Sequence, residues 1–246
     1  MGNNRRFRYN VYMAAKLTLI YSGGLDSTVL LYKLLADGYQ VQCLSINYGQ
    51  RHLRELEFAK ILTANLNIEH RVVDLSSLQH LLAGSSQTSA DIPVPQGHYA
   101  EANMAITVVP GRNLIMLALA SAWAQSSGCE NVAYAAHAGD HHVYPDCRPD
   151  FVEAAAEAML RGYGIVLLRP FLHHSKADIV RIGAYLDVPF VQTYSCYCGR
   201  SLHCGLCGTC GERRLAFIAA QVQDPTAYEV PLEATRRVCG ATRATR

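Results

Sequence analysis

The chain carries little charge. Only 17% of its 246 residues are Asp, Glu, Lys or Arg, and the formal net charge is +2. A polyanion binder usually shows a clustered basic face, and the body of this sequence has none, so direct nucleic-acid binding is not expected. Arg236, Arg237, Arg243 and Arg246 make the far C-terminus basic and read as a solvated tail rather than a phosphate-binding arm. No run of about 18 apolar residues occurs, so no membrane-spanning helix is predicted. Arg5, Arg6 and Arg8 precede no apolar stretch of signal-peptide length. Met1-Gly2 lacks the Ser or Thr that myristoylation wants four residues on, because Arg6 stands there. A cytoplasmic location is expected, with residues 1–14 an N-terminal extension and Met13 a sensible alternative start. Half of the residues are hydrophobic, which excludes a disordered chain.

Nine cysteines are present, and five of them crowd between Cys196 and Cys210. Without a leader, such a cluster reads as metal binding or catalysis rather than disulfides.

Apolar periodicity places short strands at Leu17–Tyr21, Val41–Ile46, Arg71–Val73, Val132–Ala136 and Ile165–Leu168. Helical patterns lie between them: after Ser27 until Gly38, then over Arg51–Leu66, Asn113–Gln125, Phe151–Arg161 and Ser175–Leu186. This alternation predicts an α/β fold with a Rossmann-like parallel sheet. The stretch from Ser76 to Pro110, rich in Ser, Gly, Pro and Gln, interrupts it and reads as an active-site lid or a partner surface. It offers a natural interface, as for a homodimer; the oligomeric state stays open. The expected division is an α/β domain over 15–191, a zinc-binding element with a closing helix over 192–228, and a tail over 229–246.

The turn after the first strand is Ser22-Gly23-Gly24-Leu25-Asp26-Ser27-Thr28. Two glycines let backbone amides approach a ligand, a helix begins beside them, and three hydroxyls add donors, which together make a phosphate cradle. It is not a P-loop, since the required lysine is missing, and not a dinucleotide fingerprint, since the glycine spacing is wrong. Ser-Gly-Gly-x-Asp-Ser resembles the loop of the N-type ATP pyrophosphatases. That resemblance implies an adenine nucleotide alpha hydrolase-like fold in which Tyr21 through Thr28 hold ATP while Asp26 helps to hold Mg²⁺.

Cys196, Cys204, Cys207 and Cys210 form Cys-x₇-Cys-x₂-Cys-x₂-Cys, a set that can converge on one tetrahedral ion and suits one structural Zn²⁺. An iron–sulfur cluster is the rival, although the ferredoxin continuation Cys-x₃-Cys-Pro is absent. Cys198 reads as a bystander, and His203 as a supporting or exposed residue.

Four polar segments follow strands and could reach one face: Tyr48-Gly49-Gln50-Arg51-His52, Val109-Pro110-Gly111-Arg112-Asn113, Gly139-Asp140-His141-His142, and Tyr144-Pro145-Asp146-Cys147-Arg148. Asn113 is also a credible helix cap. With the phosphate loop and the four cysteines, the first, second and fourth of these segments resemble the 7-cyano-7-deazaguanine synthase (QueC) family over about residues 17–228.

The resemblance implies a ligase that takes 7-carboxy-7-deazaguanine, ammonia and ATP to the nitrile through an adenylated acid and an amide, in queuosine precursor biosynthesis. It makes Asp26, Arg112 and Lys176 candidates for catalysis, and Arg51, His52, Asp140 and Asp146 candidates for handling substrate and ammonia. A paralogue that stops at the amide, or joins the acid to another amine, would share the same activation chemistry. A tRNA-thiolating ATP pyrophosphatase would need a cysteine pair near the loop, where Cys43 stands alone, and a basic surface.

Overall fold

The computed structural model describes residues 15–231; the expected N-terminal extension and the arginines of the tail lie outside the described residues. Five strands form one parallel sheet: β1 (Lys16–Ile20), β2 (Gln40–Asn47), β3 (His70–Asp74), β4 (Asn131–Ala133) and β5 (Val166–Leu168). Their order is β3-β2-β1-β4-β5. Leu17 pairs with Val41 on one side and with Asn131 on the other, so β1 is central.

Central strands are apolar toward both faces because helices cover both. Leu17, Leu19, Val41 and Cys43 join one core with α1 (Leu25–Ala36) and α2 (Arg54–Asn65). Leu44, Ile46 and Val132 join the other. After β3 the chain forms a 3₁₀ segment (Ser76–Leu82) and the short α3 (Glu101–Met104), then crosses to that second face. There α4 (Arg112–Ser126) and α5 (Pro149–Tyr163) pack. α6 (Lys176–Tyr185) and α7 (Gly208–Ala220) return to the first face, where Ile179, Val180 and Phe217 meet α1. The strand order therefore reverses between β1 and β4, and the crevice beyond their carboxyl ends is where ligands bind in open parallel sheets.

Three sequence expectations shift. The second helix starts at Arg54 rather than Arg51, because Gly49 turns the chain at φ +81° and the Arg51 N–H donates to Gln87. The fourth strand stops at Ala133, and residues 134–137 leave the ladder toward the crevice. The insert from Ser76 to Pro110 is not only surface: Ser85, Ser86 and Gln87 are fully buried. Its far end pairs with the cysteine loop, through Gly97 N–H to Leu206 O and Gly208 N–H to Pro95 O.

Candidate active site

A cavity of about 220 Å³ opens at the β1/β4 crevice. One wall is the phosphate loop. α1 begins at Leu25, two residues before Ser27, and its N-cap Gly24 provides no side-chain cap, which leaves first-turn amides for a ligand. Ser22 Oγ accepts from Gly24 N–H at 3.1 Å, Ser27 Oγ accepts from Ser22 N–H at 3.3 Å, and the two hydroxyls lie 3.0 Å apart. These bonds lock the turn.

Gly23 has φ +80°, and a Cβ there would lie 2.3 Å from the carbonyl oxygen of Glu55, so the first turn of α2 rests directly on the loop. Tyr21, Ser22, Gly24, Leu25, Asp26 and Ser27 line the cavity. Gly23 and Thr28 do not; Thr28 is buried with its hydroxyl 3.2 Å from Tyr21 OH, and both shape the loop from behind.

The capping box of Ser175 and Asp178 fixes the start of α6, and Lys176 is its first residue. Lys176 Nζ lies 2.8 Å from Asp26 Oδ2 and 3.2 Å from Glu212 Oε2 of α7. Burial pushes the Asp26 carboxyl up, but Lys176 and His137 outweigh it and hold the group below the usual range. Burial pushes Glu212 up. Burial alone would lower Lys176, yet Asp26 and Glu212 raise it and keep the ammonium charged.

His137, Asp140 and Glu212 are near enough to share a metal ion. His137 Nδ1 accepts from Gly139 N–H at 3.1 Å, which puts the ring proton of a neutral histidine on Nε2. That proton faces Asp140 at 3.5 Å and Asp26 at 3.8 Å, so His137 serves as a donor rather than a ligand. Asp140 and Glu212 remain as carboxylate ligands of the kind a hard divalent cation prefers. Asp26 stands beside them, with its Oδ2 on Lys176 and its Oδ1 buried without a partner among the described residues.

The opposite wall is aromatic. The Arg112 guanidinium lies 5.9 Å from the ring centre of Tyr48 and 5.7 Å from that of Tyr144. Its Nη1 faces Gln87 Oε1 at 3.4 Å. His52 stacks on Tyr197 at 5.0 Å. Glu55 lines the same cavity. Although His52 Nε2 is 3.6 Å from Glu55 Oε1, burial pushes the imidazole down to about 3 and the carboxyl up to about 8, so near pH 7 both are largely neutral rather than an ion pair.

Of the four residues expected to handle substrate, His52 and Asp140 line the cavity. Arg51 and Asp146 do not. The Arg51 guanidinium donates to the carbonyls of Ser89, Ala90 and Ile92, tying down the insert. Asp146 Oδ2 accepts from Asn113 N–H at 3.1 Å in the first turn of α4. Asn113 is not the cap of that helix; Gly111, at φ +64°, holds the position. Sequence reading passed over Glu55, His137, Glu212, Tyr197 and Tyr99, whose hydroxyl donates to Asp140 at 2.7 Å. Glu55 lies three residues past His52 and Glu212 two past Cys210, and that closeness to a motif is the sequence signal that points to them.

Below this wall, Cys196, Cys204, Cys207 and Cys210 are all buried, with their sulfurs within 4.8 Å of one another. Cys204 N–H points at the Cys196 sulfur, and the amides of Leu206 and Cys207 point at that of Cys204. Such amides offset thiolate charge, so the set suits a metal ion. Cys198 Sγ stands 3.7 Å from Cys204 Sγ outside this group. His203 is buried rather than exposed: its Nε2 accepts from Ser195 N–H, and its ring packs between Tyr194 and Tyr228. Cys207 caps α7, so the knot sets the position of Glu212 five residues on.

A Rossmann-like parallel sheet with a Ser-Gly-Gly loop and a clustered carboxylate–lysine site at its switch point defines an α/β protein built to bind an anionic ligand there. More narrowly, the chain belongs to the family described as queuosine biosynthesis protein QueC, whose model matches residues 16–221. It is 49% identical over 218 residues to the 7-cyano-7-deazaguanine synthase of Paracoccus denitrificans (strain Pd 1222), covering 87% of this chain and 93% of that protein. It is 50% identical over 212 residues to the 7-cyano-7-deazaguanine synthase of Hahella chejuensis (strain KCTC 2396), covering 85% and 91%. Among solved structures, NMN synthetase from Francisella tularensis aligns over 92% of this chain and 83% of that one, with a TM-score of 0.49 and 19% identity, and nothing about function follows from so loose a match.

Proposed function

We propose that this chain is an enzyme that converts 7-carboxy-7-deazaguanine and ammonia to 7-cyano-7-deazaguanine at the expense of ATP, in the cytoplasm. The observation that carries this reading is one cavity joining the Ser22–Ser27 loop to the Arg112 and Tyr197 wall, in a chain about half identical to proteins of that name. A carboxylate is inert to ammonia until one oxygen becomes a leaving group. First-turn amides of α1 and the Lys176 ammonium hold the phosphates, and Arg112 holds the acid near the α-phosphate. The acid oxygen attacks that phosphorus and pyrophosphate leaves; ammonia then displaces AMP to give the amide. A second activation, of the amide oxygen, followed by loss of two protons and AMP, gives the nitrile. Asp140 and Glu212, with Asp26 beside them, would hold Mg²⁺, which would supply charge neutralisation for the departing pyrophosphate.

The four cysteines would hold one structural Zn²⁺, anchoring α7 and with it Glu212 and Thr209, a residue of the cavity wall. Thiol chemistry has less support. Cys43 lies in the first core, and Cys147, at the cavity, is held by Asn113 with its thiol pushed up by burial. Among the described residues no helix is long and apolar enough to cross a membrane.

The test is incubation with 7-carboxy-7-deazaguanine, ATP, Mg²⁺ and ammonium, following product mass. A nitrile supports the reading; an amide end product, or no conversion, contradicts it.

A further inference from the structure

Glu55 takes no part in the proposed activation steps, yet it is a built feature. Gln50 is fully buried, and each end of its amide has a use. Its Oε1 accepts from Tyr48 N–H at 2.8 Å; its Nε2 donates to Ile46 O at 3.1 Å and to Glu55 Oε1 at 3.3 Å. The carboxyl is thus aimed by the segment that follows β2. Among the described residues no donor reaches its Oε2, although the residue lines the cavity. Beside it, the His52–Tyr197 stack, tilted by 30°, presents flat rings of the kind against which a planar heterocycle packs.

A guanine-type ring offers two adjacent donors on its pyrimidine edge, N1–H and the 2-amino group, and a carboxylate is the acceptor that satisfies both. The cavity's other carboxylates, Asp26 and Asp140, are already engaged: Asp26 faces Lys176, and Asp140 takes the Tyr99 hydroxyl. Asp26 also keeps one oxygen without a partner, but it lies on the Lys176 ammonium at the phosphate loop, whereas Glu55 faces the aromatic stack with its Oε2 open.

We propose that Glu55 is a specificity-determining residue that accepts from N1–H and the 2-amino group of the 7-deazaguanine acid, with Gln50 as its positioning residue. This rests on the substrate proposed above. Desolvation keeps the carboxyl largely protonated in the empty cavity, and the two ligand donors stabilise its ionised form, so binding releases a proton from Glu55.

The experiment measures equilibrium binding of 7-carboxy-7-deazaguanine and of its analogue lacking the 2-amino group, by calorimetry, to the parent protein and to Glu55→Gln. Turnover of the acid by the parent is followed in parallel, and thermal melting verifies that the variant is folded. The parent should bind the acid about 10- to 100-fold tighter than the analogue, the order of one hydrogen bond to a charged group. The variant should bind the two within about 3-fold, because one half of the glutamine amide is a donor. Turnover with parental discrimination retained in the variant overturns the assignment alone, and would point to proton transfer as the work of Glu55. Absence of any turnover by the parent overturns the proposed function, and this inference with it.

Discussion

Lys176 Nζ lies 2.8 Å from Asp26 Oδ2, across 150 positions of sequence. The phosphate loop lacks the lysine of a P-loop, and the fold supplies an ammonium from the first turn of α6 instead. Lys176→Met leaves Asp26 and Glu212 without their cation in a low-dielectric site. Turnover should fall by roughly 10²–10³-fold, the loss expected when one group stabilising transition-state charge is removed. Steady-state kinetics measure this, and near-parental turnover would show that Lys176 is only structural.

Gly23→Ala tests the contact between the loop and α2. The new Cβ meets the Glu55 carbonyl at 2.3 Å, and the backbone stays at φ +80°. A destabilisation of about 2 kcal/mol or more is expected, together with weakened ATP binding. Urea unfolding and nucleotide titration read the two effects; unchanged unfolding would mean that α2 does not rest on the loop.

His52 and Glu55 set opposite pH slopes on stability. The folded-state value of Glu55 is raised from 4.5 to about 8, so between those values the folded form binds the extra proton and stability declines as pH rises. That of His52 is depressed from 6.5 to about 3, so between those values the unfolded form binds the extra proton and stability declines as pH falls. Each slope approaches about 1.4 kcal/mol per pH unit, and the two oppose each other between 4.5 and 6.5. Glu55→Gln should therefore gain stability over the parent progressively from about pH 4.5 to about pH 8. Parallel stability–pH curves for the two proteins would contradict the buried neutral carboxyl.

The element order and the loop were legible in the sequence because both rest on local signals: apolar periodicity, and glycines where backbone must approach a ligand. Arg51 and Asp146 were less legible. Their neighbours made them candidates for substrate, but each side chain is spent on backbone groups, Arg51 on Ser89, Ala90 and Ile92, and Asp146 on Asn113. Glu212 could not be placed beside Lys176 without knowing that the cysteine knot swings α7 back onto α6.

Cys207→Ser tests that linkage. The variant should lose most of its bound metal and melt at lower temperature, and its activity should fall further than its folded fraction, because Cys207 caps the helix that carries Glu212. Elemental analysis with thermal melting decides it; full metal content in the variant would remove Cys207 from the ligand set.

The central claim is that one phosphate loop activates first an acid and then an amide. The most direct measurement is the yield of AMP per nitrile, starting from 7-carboxy-7-deazaguanine with ammonium and, separately, from the corresponding amide without ammonium. The account predicts about two AMP per nitrile from the acid and about one from the amide, since each activation releases one AMP. An amide left unconsumed in the presence of ATP would contradict it.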